Sequence, residues 1–368
     1  MNKTIPEKRP VNLYGMLFLL LMIFAGGLGH IQGDQDNTGQ AAVQMQQEKS
    51  DLLAGFVKAI AYSGFRHGQH PDRGEGAIFP NEEEILEDLQ ILTRNSNFGL
   101  IRLYDSQKNS EDVLKVIKEN NINMKVMLGV WLSAEISNHE GCPWLTEPIP
   151  QATLDANKIK NKQEINRAIR LCEEYKDIIV AVNVGNEALV SWNDHMVSID
   201  SVISYVKRVK NSIGQLVTVA DNYDWWVKNG LELAKELDFI GVHTYPAWEG
   251  KGIDEALSFT IENIQAVRNA LPESKIVIAE AGWATIASEF GERASEESQK
   301  RYYHELMSWA AQMNITTFFF EAFDEDWKGN PDNPLGAEKH WGIFTVDRKA
   351  KLVMYEQYPD LVPVKGNH

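Results

Sequence analysis

Cysteine is nearly missing from this sequence: Cys142 and Cys172 are the only two among 368 residues. Two cysteines cannot form a disulfide framework, and no Cys-x-x-Cys pair or Cys/His cluster indicates a zinc site. Two free thiols fit the sequence at least as well as one bridge. The fold therefore depends on a packed core, for which the 43% of hydrophobic residues is an ordinary supply.

Positive charge is also scarce, because 36 lysine and arginine residues face 52 aspartate and glutamate residues and the formal net charge is -16. Such a chain repels nucleic acid phosphates and anionic lipid headgroups. We therefore expect no nucleic acid partner and a neutral or cationic substrate. The ten tryptophans and eleven tyrosines offer flat apolar faces that stack on sugars, although a core uses the same residues.

One long apolar run, residues 11–28, follows three basic residues and precedes a polar stretch. This layout is typical of an export signal. The run lacks a clear Ala-x-Ala cleavage site and is near the lower length limit for a spanning helix, so an uncleaved N-terminal membrane anchor is the alternative. Both interpretations place the rest of the chain outside the cytoplasm, as a secreted, periplasmic or cell-surface protein.

Composition divides the chain into three parts. Residues 1–32 form the signal peptide or anchor, and residues 33–52 are rich in Gln, Asp, Asn and Gly without an apolar period, which is typical of a flexible linker. We expect the folded unit to span residues 53–362 and to be a monomer.

Eight short apolar, β-branched runs recur in this unit, each typical of a buried strand. They are residues 56–62, 99–104, 124–130, 178–184, 216–220, 239–243, 275–279 and 316–320. Segments with helical periodicity lie between them, at residues 83–92, 110–120, 165–175, 201–213, 253–270 and 296–313. Eight strands alternating with helices over about 300 residues predict an α/β fold, the (β/α)₈ TIM barrel. An open doubly wound sheet usually carries a G-x-G-x-x-G turn after its first strand, and Tyr62–Arg66 is not one.

Polar and aromatic residues close most of the predicted strands, where the active site of such a barrel lies. Strand four ends in Gly-Asn-Glu at Glu187, and strand seven ends at Glu280. Glycoside hydrolysis needs two carboxylates, one protonated to serve as an acid and one ionised. Strands four and seven face each other across the barrel, which suits the short carboxylate separation of a retaining enzyme. The neighbouring Asn186 can bind a sugar hydroxyl, and Trp283 offers a stacking face, so we prefer this interpretation to glutamates that merely enter solvent.

Four ordered motifs resemble those of glycoside hydrolase family 17, the β-1,3-glucanase and β-1,3-glucanosyltransferase family. They are residues 184–187, 279–283, 320–328 and 338–344, and the resemblance extends from about residue 55 to residue 358. One departure is Ala281, which stands where Thr or Ser is commoner. The resemblance implies that Glu187 is the acid/base and Glu280 the nucleophile of a retaining hydrolase that acts on β-1,3-glucan without a cofactor.

The resemblance also implies a set of substrate-binding residues. It places Tyr104, Asn186, Tyr245 and Trp283 around the sugar at the cleavage point, with the Tyr245 hydroxyl directed to the nucleophile. It further implies a charged network of Glu325, Lys328 and Glu338 that tunes the pKa values of the catalytic pair.

Other functions remain open. A β-1,3-glucan transglycosylase on the same fold would use a sugar hydroxyl instead of water, and its acceptor-site aromatics would come from Trp225, Trp226, Trp248 and Trp327. A glucan-binding protein on an inactive barrel should lack one of the two carboxylates. A metal-dependent hydrolase would need His-x-His on strand one, which has none, so His243 is better explained as a satisfied core histidine and we expect no metal.

Residues 139–161 are predicted to form an extended loop after strand three. The loop either blocks one end of the substrate groove or is a plain surface excursion.

Overall fold

A computed structural model describes residues 47–48, 53–54, 57–72, 76–143 and 145–364. Eight parallel strands form a closed barrel in which each strand pairs with the next one in the sequence and the eighth returns to the first. The strands are β1 Ala59–Ala61, β2 Leu100–Arg102, β3 Lys125–Val130, β4 Ile179–Asn186, β5 Leu216–Asn222, β6 Ile240–His243, β7 Ile276–Gly282 and β8 Thr317–Phe320. All eight predicted strands and the predicted TIM barrel are confirmed.

Helices cover the outside of the barrel between consecutive strands. They are α1 Glu82–Thr93, α2 Lys108–Glu119, α3 Gln151–Glu174, α4 Ile199–Lys210, α5 Tyr223–Asn229, α6 Leu231–Ala234, α7 Ile253–Ala270 and α8 Glu296–Met313. The first of them starts at a capping box in which Asn81 and Glu84 each accept a backbone N–H of the other, at 2.9 Å. The acidic residues that follow Asn81 therefore belong to a helix start.

Three helices differ from the sequence prediction. The helix expected at 165–175 begins earlier, at Gln151, so the second half of the predicted loop 139–161 is helical. The helices Tyr223–Asn229 and Leu231–Ala234 were not predicted, because they are too short to show a clear apolar period.

A layer of apolar side chains fills the barrel at the N-terminal ends of its strands. The layer takes fully or nearly fully buried residues from six different strands, among them Ala59, Met127 and Phe318. These side chains fill the narrow interior without a pore. This closed end makes the opposite, C-terminal end the only open mouth of the described barrel.

The chain already contacts the barrel at Gln47. The Gln47 side chain donates to the carbonyl of Ile276 at 2.9 Å and accepts the Ile276 N–H at 2.8 Å, and Asn314 donates to the Gln47 carbonyl at 2.7 Å. Gln47 is 5% exposed. Gln47 lies within the predicted linker 33–52, and its side chain satisfies backbone groups at the bottom of β7.

The predicted signal or anchor, residues 1–32, lies outside the described residues. No helix within the described part of the chain combines the length and apolar character of a membrane span. Cys142 and Cys172 are both buried and unpaired, so the two-thiol interpretation is confirmed.

Candidate active site

The end of β4 places Glu187 at the open mouth of the barrel. Gly185 has φ +93°, which favours glycine, and a Cβ at this position would lie 3.1 Å from Leu132. The Glu187 backbone also lies in the left-handed region, at φ +47°, and its N–H donates to the Ala220 carbonyl at 2.9 Å. The β4–β5 register shifts between Asn183 and Asn186. Backbone strain and strand irregularity of this kind concentrate at functional sites.

Glu280 lies near the end of β7 and faces Glu187. One carboxylate oxygen of Glu187 lies no more than 4.8 Å from one oxygen of Glu280. Glu280 is only 5% exposed, whereas the Glu187 side chain is 22% exposed and lies closer to solvent. The separation is near the value of about 5–5.5 Å that retaining glycosidases use and well below that of inverting enzymes.

Three donors hold the Glu280 carboxylate in one position. The Arg102 guanidinium donates to Oε1 at 2.6 Å, the Tyr104 hydroxyl donates to the same oxygen at 3.1 Å, and the Tyr245 hydroxyl donates to Oε2 at 2.6 Å. Charge-assisted bonds of this length are the strong ones. These three contacts fix the position of the carboxylate, as a nucleophile requires.

Two donors contact the Glu187 carboxylate. His243 contacts Oε1 through Nδ1 at 2.9 Å, and the Asn193 amide donates to Oε2 at 3.0 Å and to the Glu187 carbonyl at 3.1 Å. Burial alone would raise the pKa of Glu187, but the hydrogen bonds from His243 and Asn193 outweigh it and lower that pKa. These hydrogen bonds favour the ionised form of Glu187, which is the form that a general base needs.

Arg102 and His243 are site residues that the sequence analysis missed. Arg102 is fully buried, donates to the Ala279 carbonyl at 2.9 Å and lies 3.3 Å from Nε2 of His243. Because arginine only donates, Nε2 accepts and Nδ1 carries the hydrogen that bonds Glu187. His243 is satisfied and buried as expected, yet it joins the two carboxylates. A charged residue inside the apolar run at β2 was the available signal for Arg102.

The two glutamates and the histidine between them are also residue types that bind metal ions. Glu187, His243 and Glu280 each bring one ligand atom within 4.8 Å of the others. The positive guanidinium of Arg102 lies against Glu280, and the His243 N–H is directed at Glu187, so a cation would meet a positive charge and a donor where ligands are needed. These contacts favour a hydrogen-bonded pair of carboxylates.

Two residues of the predicted charged network, Lys328 and Glu325, contact each other beside β8, where Lys328 contacts two carboxylates. Its Nζ lies 2.7 Å from Glu325 and 2.5 Å from Glu321, a residue that was not assigned to the network. Burial raises the pKa of Glu321 well above its usual value, whereas Lys328, Ser63 and Trp327 outweigh burial at Glu325 and lower the pKa there. The pKa values of the two carboxyl groups that share Lys328 are therefore shifted in opposite directions.

Glu338 is partly buried near this network. Burial, together with the negative charges of Glu187 and Glu280, raises the pKa of Glu338 to about 7, against the opposing effect of Lys328. Glu338 thus senses the charge of the candidate pair electrostatically. Asn186, also predicted to bind substrate, accepts a hydrogen bond from Arg102 through its side-chain oxygen.

The prediction that Trp283 presents a stacking face is wrong. Its ring is fully buried, packs against Tyr302 and donates to the Arg293 carbonyl at 2.9 Å. Trp226 is likewise fully buried, with its indole N–H on the Gly241 carbonyl at 2.8 Å. A strand-end position does not determine which way a ring points. Trp248 is 46% exposed instead, and its ring packs edge-on against Phe290.

Comparisons with known proteins agree with this geometry. Residues 59–342 match the family model described as the BtgE/BtgC glycoside hydrolase domain. The chain is 27% identical over 298 residues to a putative glucan endo-1,3-beta-glucosidase, btgC, of Aspergillus niger, which covers 74% of this chain and 40% of that protein. The chain thus spans about two fifths of the length of this curated relative.

Two solved structures share the fold. An endo-laminarinase from Formosa Hel1_33_131 is 27% identical with a TM-score of 0.72, covering 84% of this chain and 89% of that one. A glycoside hydrolase family 17 β-1,3-glucanosyltransferase from Rhizomucor miehei is 22% identical with a TM-score of 0.62, covering 83% and 97%. The second likeness shows the fold alone.

Proposed function

The chain belongs to the BtgE/BtgC glycoside hydrolase family, as the resemblance of its four motifs predicted, and from this premise we propose that it is a retaining glycosidase acting on β-1,3-glucan. The observation that carries the proposal is the separation of at most 4.8 Å between carboxylate oxygens of Glu187 and Glu280. A gap this short leaves no room for a water between the sugar and the second carboxylate. The names of the Aspergillus relative and the Formosa laminarinase support the substrate class.

In the first step, Glu280 attacks the anomeric carbon and forms a glycosyl ester while the glycosidic C–O bond breaks. Glu187 has to take up a proton before this step, against the effect of His243 and Asn193 in the free protein, and it then gives that proton to the departing oxygen. Arg102, Tyr104 and Tyr245 hold the Glu280 carboxylate oriented for this attack. The buried position of Glu280 strengthens these interactions because water is excluded.

In the second step, Glu187 removes a proton from water, and the resulting hydroxyl attacks the same carbon, which releases Glu280 and restores the starting configuration. The hydrogen bonds from His243 and Asn193 favour the ionised form of Glu187 that this step needs. A sugar hydroxyl in place of water gives transglycosylation.

The test uses soluble β-1,3-glucan with the wild type, Glu187→Gln, Glu280→Gln and the surface control Glu305→Gln, whose carboxylate pairs with Arg301 on α8. We expect shorter oligosaccharides of retained anomeric configuration from the wild type and the control, and a loss of at least about 10³-fold in kcat for both active-site variants. Products longer than a defined oligosaccharide donor would instead establish transfer. Near-normal turnover by Glu280→Gln would refute the nucleophile assignment.

We also propose that residues 53–362 form the catalytic unit and that the chain is exported. The apolar run at 11–28, flanked by basic residues, supports export. Fractionation of the natural host, with antibody detection and N-terminal sequencing of the mature chain, distinguishes a cleaved signal from a retained anchor.

A further inference from the structure

The turn that carries Glu187 needs support from its surroundings. The backbone of Glu187 is left-handed, at φ +47°, a conformation that is unfavourable for a residue with a side chain. Such a backbone persists only where the surrounding structure determines it. The contacts made by this turn, residues 187–189, are therefore part of what places the Glu187 carboxyl group in the cleft.

Two consecutive residues of β5 supply such contacts. The carbonyl of Ala220 accepts the N–H of Glu187 at 2.9 Å, and Oδ2 of Asp221 accepts the N–H of Leu189 at 3.0 Å. The first acceptor is a backbone group, whereas the second is a side chain that a substitution can remove. The first and the last residue of the turn are thus both bound to the end of β5.

The Asp221 carboxyl group is fixed at both of its oxygens. Oδ1 accepts the N–H of the next residue, Asn222, at 2.8 Å, so one oxygen is bound to β5 and the other to the turn after β4. The side chain is fully buried. Asn222 caps the helix α5, where its own side chain accepts the N–H of Asp224 at 2.8 Å. The turn is therefore bound to a strand end that is itself anchored.

The burial of Asp221 is not explained by an ion pair. The described contacts of its carboxyl group are two backbone N–H groups and no cation. Burial, and after it the negative charge of Glu187, raise the pKa of Asp221 well above its usual value. Burying an acid without a counterion costs stability, and features that cost stability concentrate at functional sites. These observations favour a role in the site over a role in stability.

We propose that Asp221 is a positioning residue that holds Glu187 in place for proton transfer by binding the backbone N–H of Leu189. The proposal rests on the proposed function, because it concerns the step in which Glu187 gives a proton to the departing oxygen. That transfer needs the carboxyl group within hydrogen-bond reach of the oxygen. A displacement of about 1 Å costs about 100-fold in rate.

The test compares two substrates with the same β-1,3-linked sugar chain, an unmodified oligosaccharide and a dinitrophenyl glycoside. Dinitrophenolate is a stable anion that departs without a proton, so its release needs Glu280 but little help from Glu187. On both substrates, kcat/KM reports the first step, the formation of the glycosyl ester. A substitution that acts through the acid therefore slows the two substrates unequally, whereas a general loss of structure slows them equally.

The variants are Asp221→Asn, which keeps one acceptor oxygen, Asp221→Ala, which keeps none, and Glu187→Gln as the reference for a lost acid. The matched control is Asp238→Asn, since Asp238 accepts the N–H of Val217 at 2.8 Å at the opposite, closed end of β5. We expect Asp221→Asn to lose about 10- to 100-fold in kcat/KM on the oligosaccharide and less than about 3-fold on the dinitrophenyl glycoside. Asp221→Ala should lose at least as much, and the control should match the wild type on both substrates.

The other outcomes overturn specific statements. Equal losses on the two substrates, no loss, or the same unequal losses in the Asp238→Asn control would overturn the positioning role alone. An Asp221→Asn chain that no longer folds would overturn it too, because the contact would then be structural; partial unfolding leaves the ratio of the two losses unchanged. A wild type that does not cleave the oligosaccharide, or a Glu187→Gln variant with equal losses on both substrates, overturns the proposed function itself.

Discussion

Replacing Lys328 by methionine tests whether the buried charged group beside β8 depends on its single cation. Its Nζ lies 2.7 Å from Glu325, and the two side chains are 13% and 1% exposed. Methionine keeps most of the volume but leaves the Glu325 carboxylate buried without a counterion. Removing one partner of a buried pair costs about 3–5 kcal/mol in the free energy of unfolding.

The matched control is Lys235→Met, since Nζ of Lys235 lies 2.6 Å from Glu232 with both side chains more than half exposed. The distance is nearly the same and only burial differs, so we expect a loss of about 0–1 kcal/mol. Urea unfolding followed by tryptophan fluorescence compares the two variants. Equal losses in both variants would refute the argument from burial.

The dependence on pH adds a second test. Lys328 now outweighs burial and keeps the pKa of Glu325 low. Without the lysine, burial raises that pKa in the folded state above its unfolded value. An acid with a raised folded pKa loses stability as the pH rises beyond the unfolded pKa. The loss in Lys328→Met should therefore be larger at pH 7 than at pH 5, and a loss independent of pH would contradict this reasoning.

Three further outcomes follow from the site and its surroundings. Asn193→Leu removes a donor from Glu187 and so raises the pKa of that carboxyl, which should move the alkaline limb of kcat/KM to higher pH; an unmoved limb would exclude the contact as a determinant. Tyr245→Phe removes a 2.6 Å hydrogen bond from the ionised Glu280, so kcat should fall about 10- to 100-fold, measured with Tyr355→Phe as a control. Burial and the nearby Glu164 raise the pKa of Asp105 to about 6, so the wild type should lose stability as the pH rises from about 4 to 6. Asp105→Asn keeps both acceptor contacts of Oδ1 and should remove this decline, which urea titrations detect.

The barrel could be read from the sequence because its signals are local. Each strand is a short apolar run with turn residues beside it, and the carboxyl ends of parallel strands must share one mouth. Glu187 and Glu280 followed from that rule, and their separation agrees with it. Local signals thus located the pair without any knowledge of its surroundings.

Contacts between strands that are distant in sequence could not be read in the same way. Arg102 reaches Glu280 across 178 positions and His243 reaches Glu187 across 56, and neither distance leaves a pattern in a single sequence. The prediction for Trp283 was wrong for the same reason, since the direction of its ring depends on packing against α8. The predicted charged network did not include Glu321, because the contact between Glu321 and Lys328 forms only when the segment after β8 turns back.

The contact of Gln47 with the base of the barrel determines how this protein can be attached to anything else. Gln47 bonds Ile276, the first residue of β7, whereas Glu280 lies four residues further along the same strand, toward the mouth. The chain at Gln47 therefore joins the folded unit at the closed end of the barrel, and the cleft lies at the opposite end of the same strands.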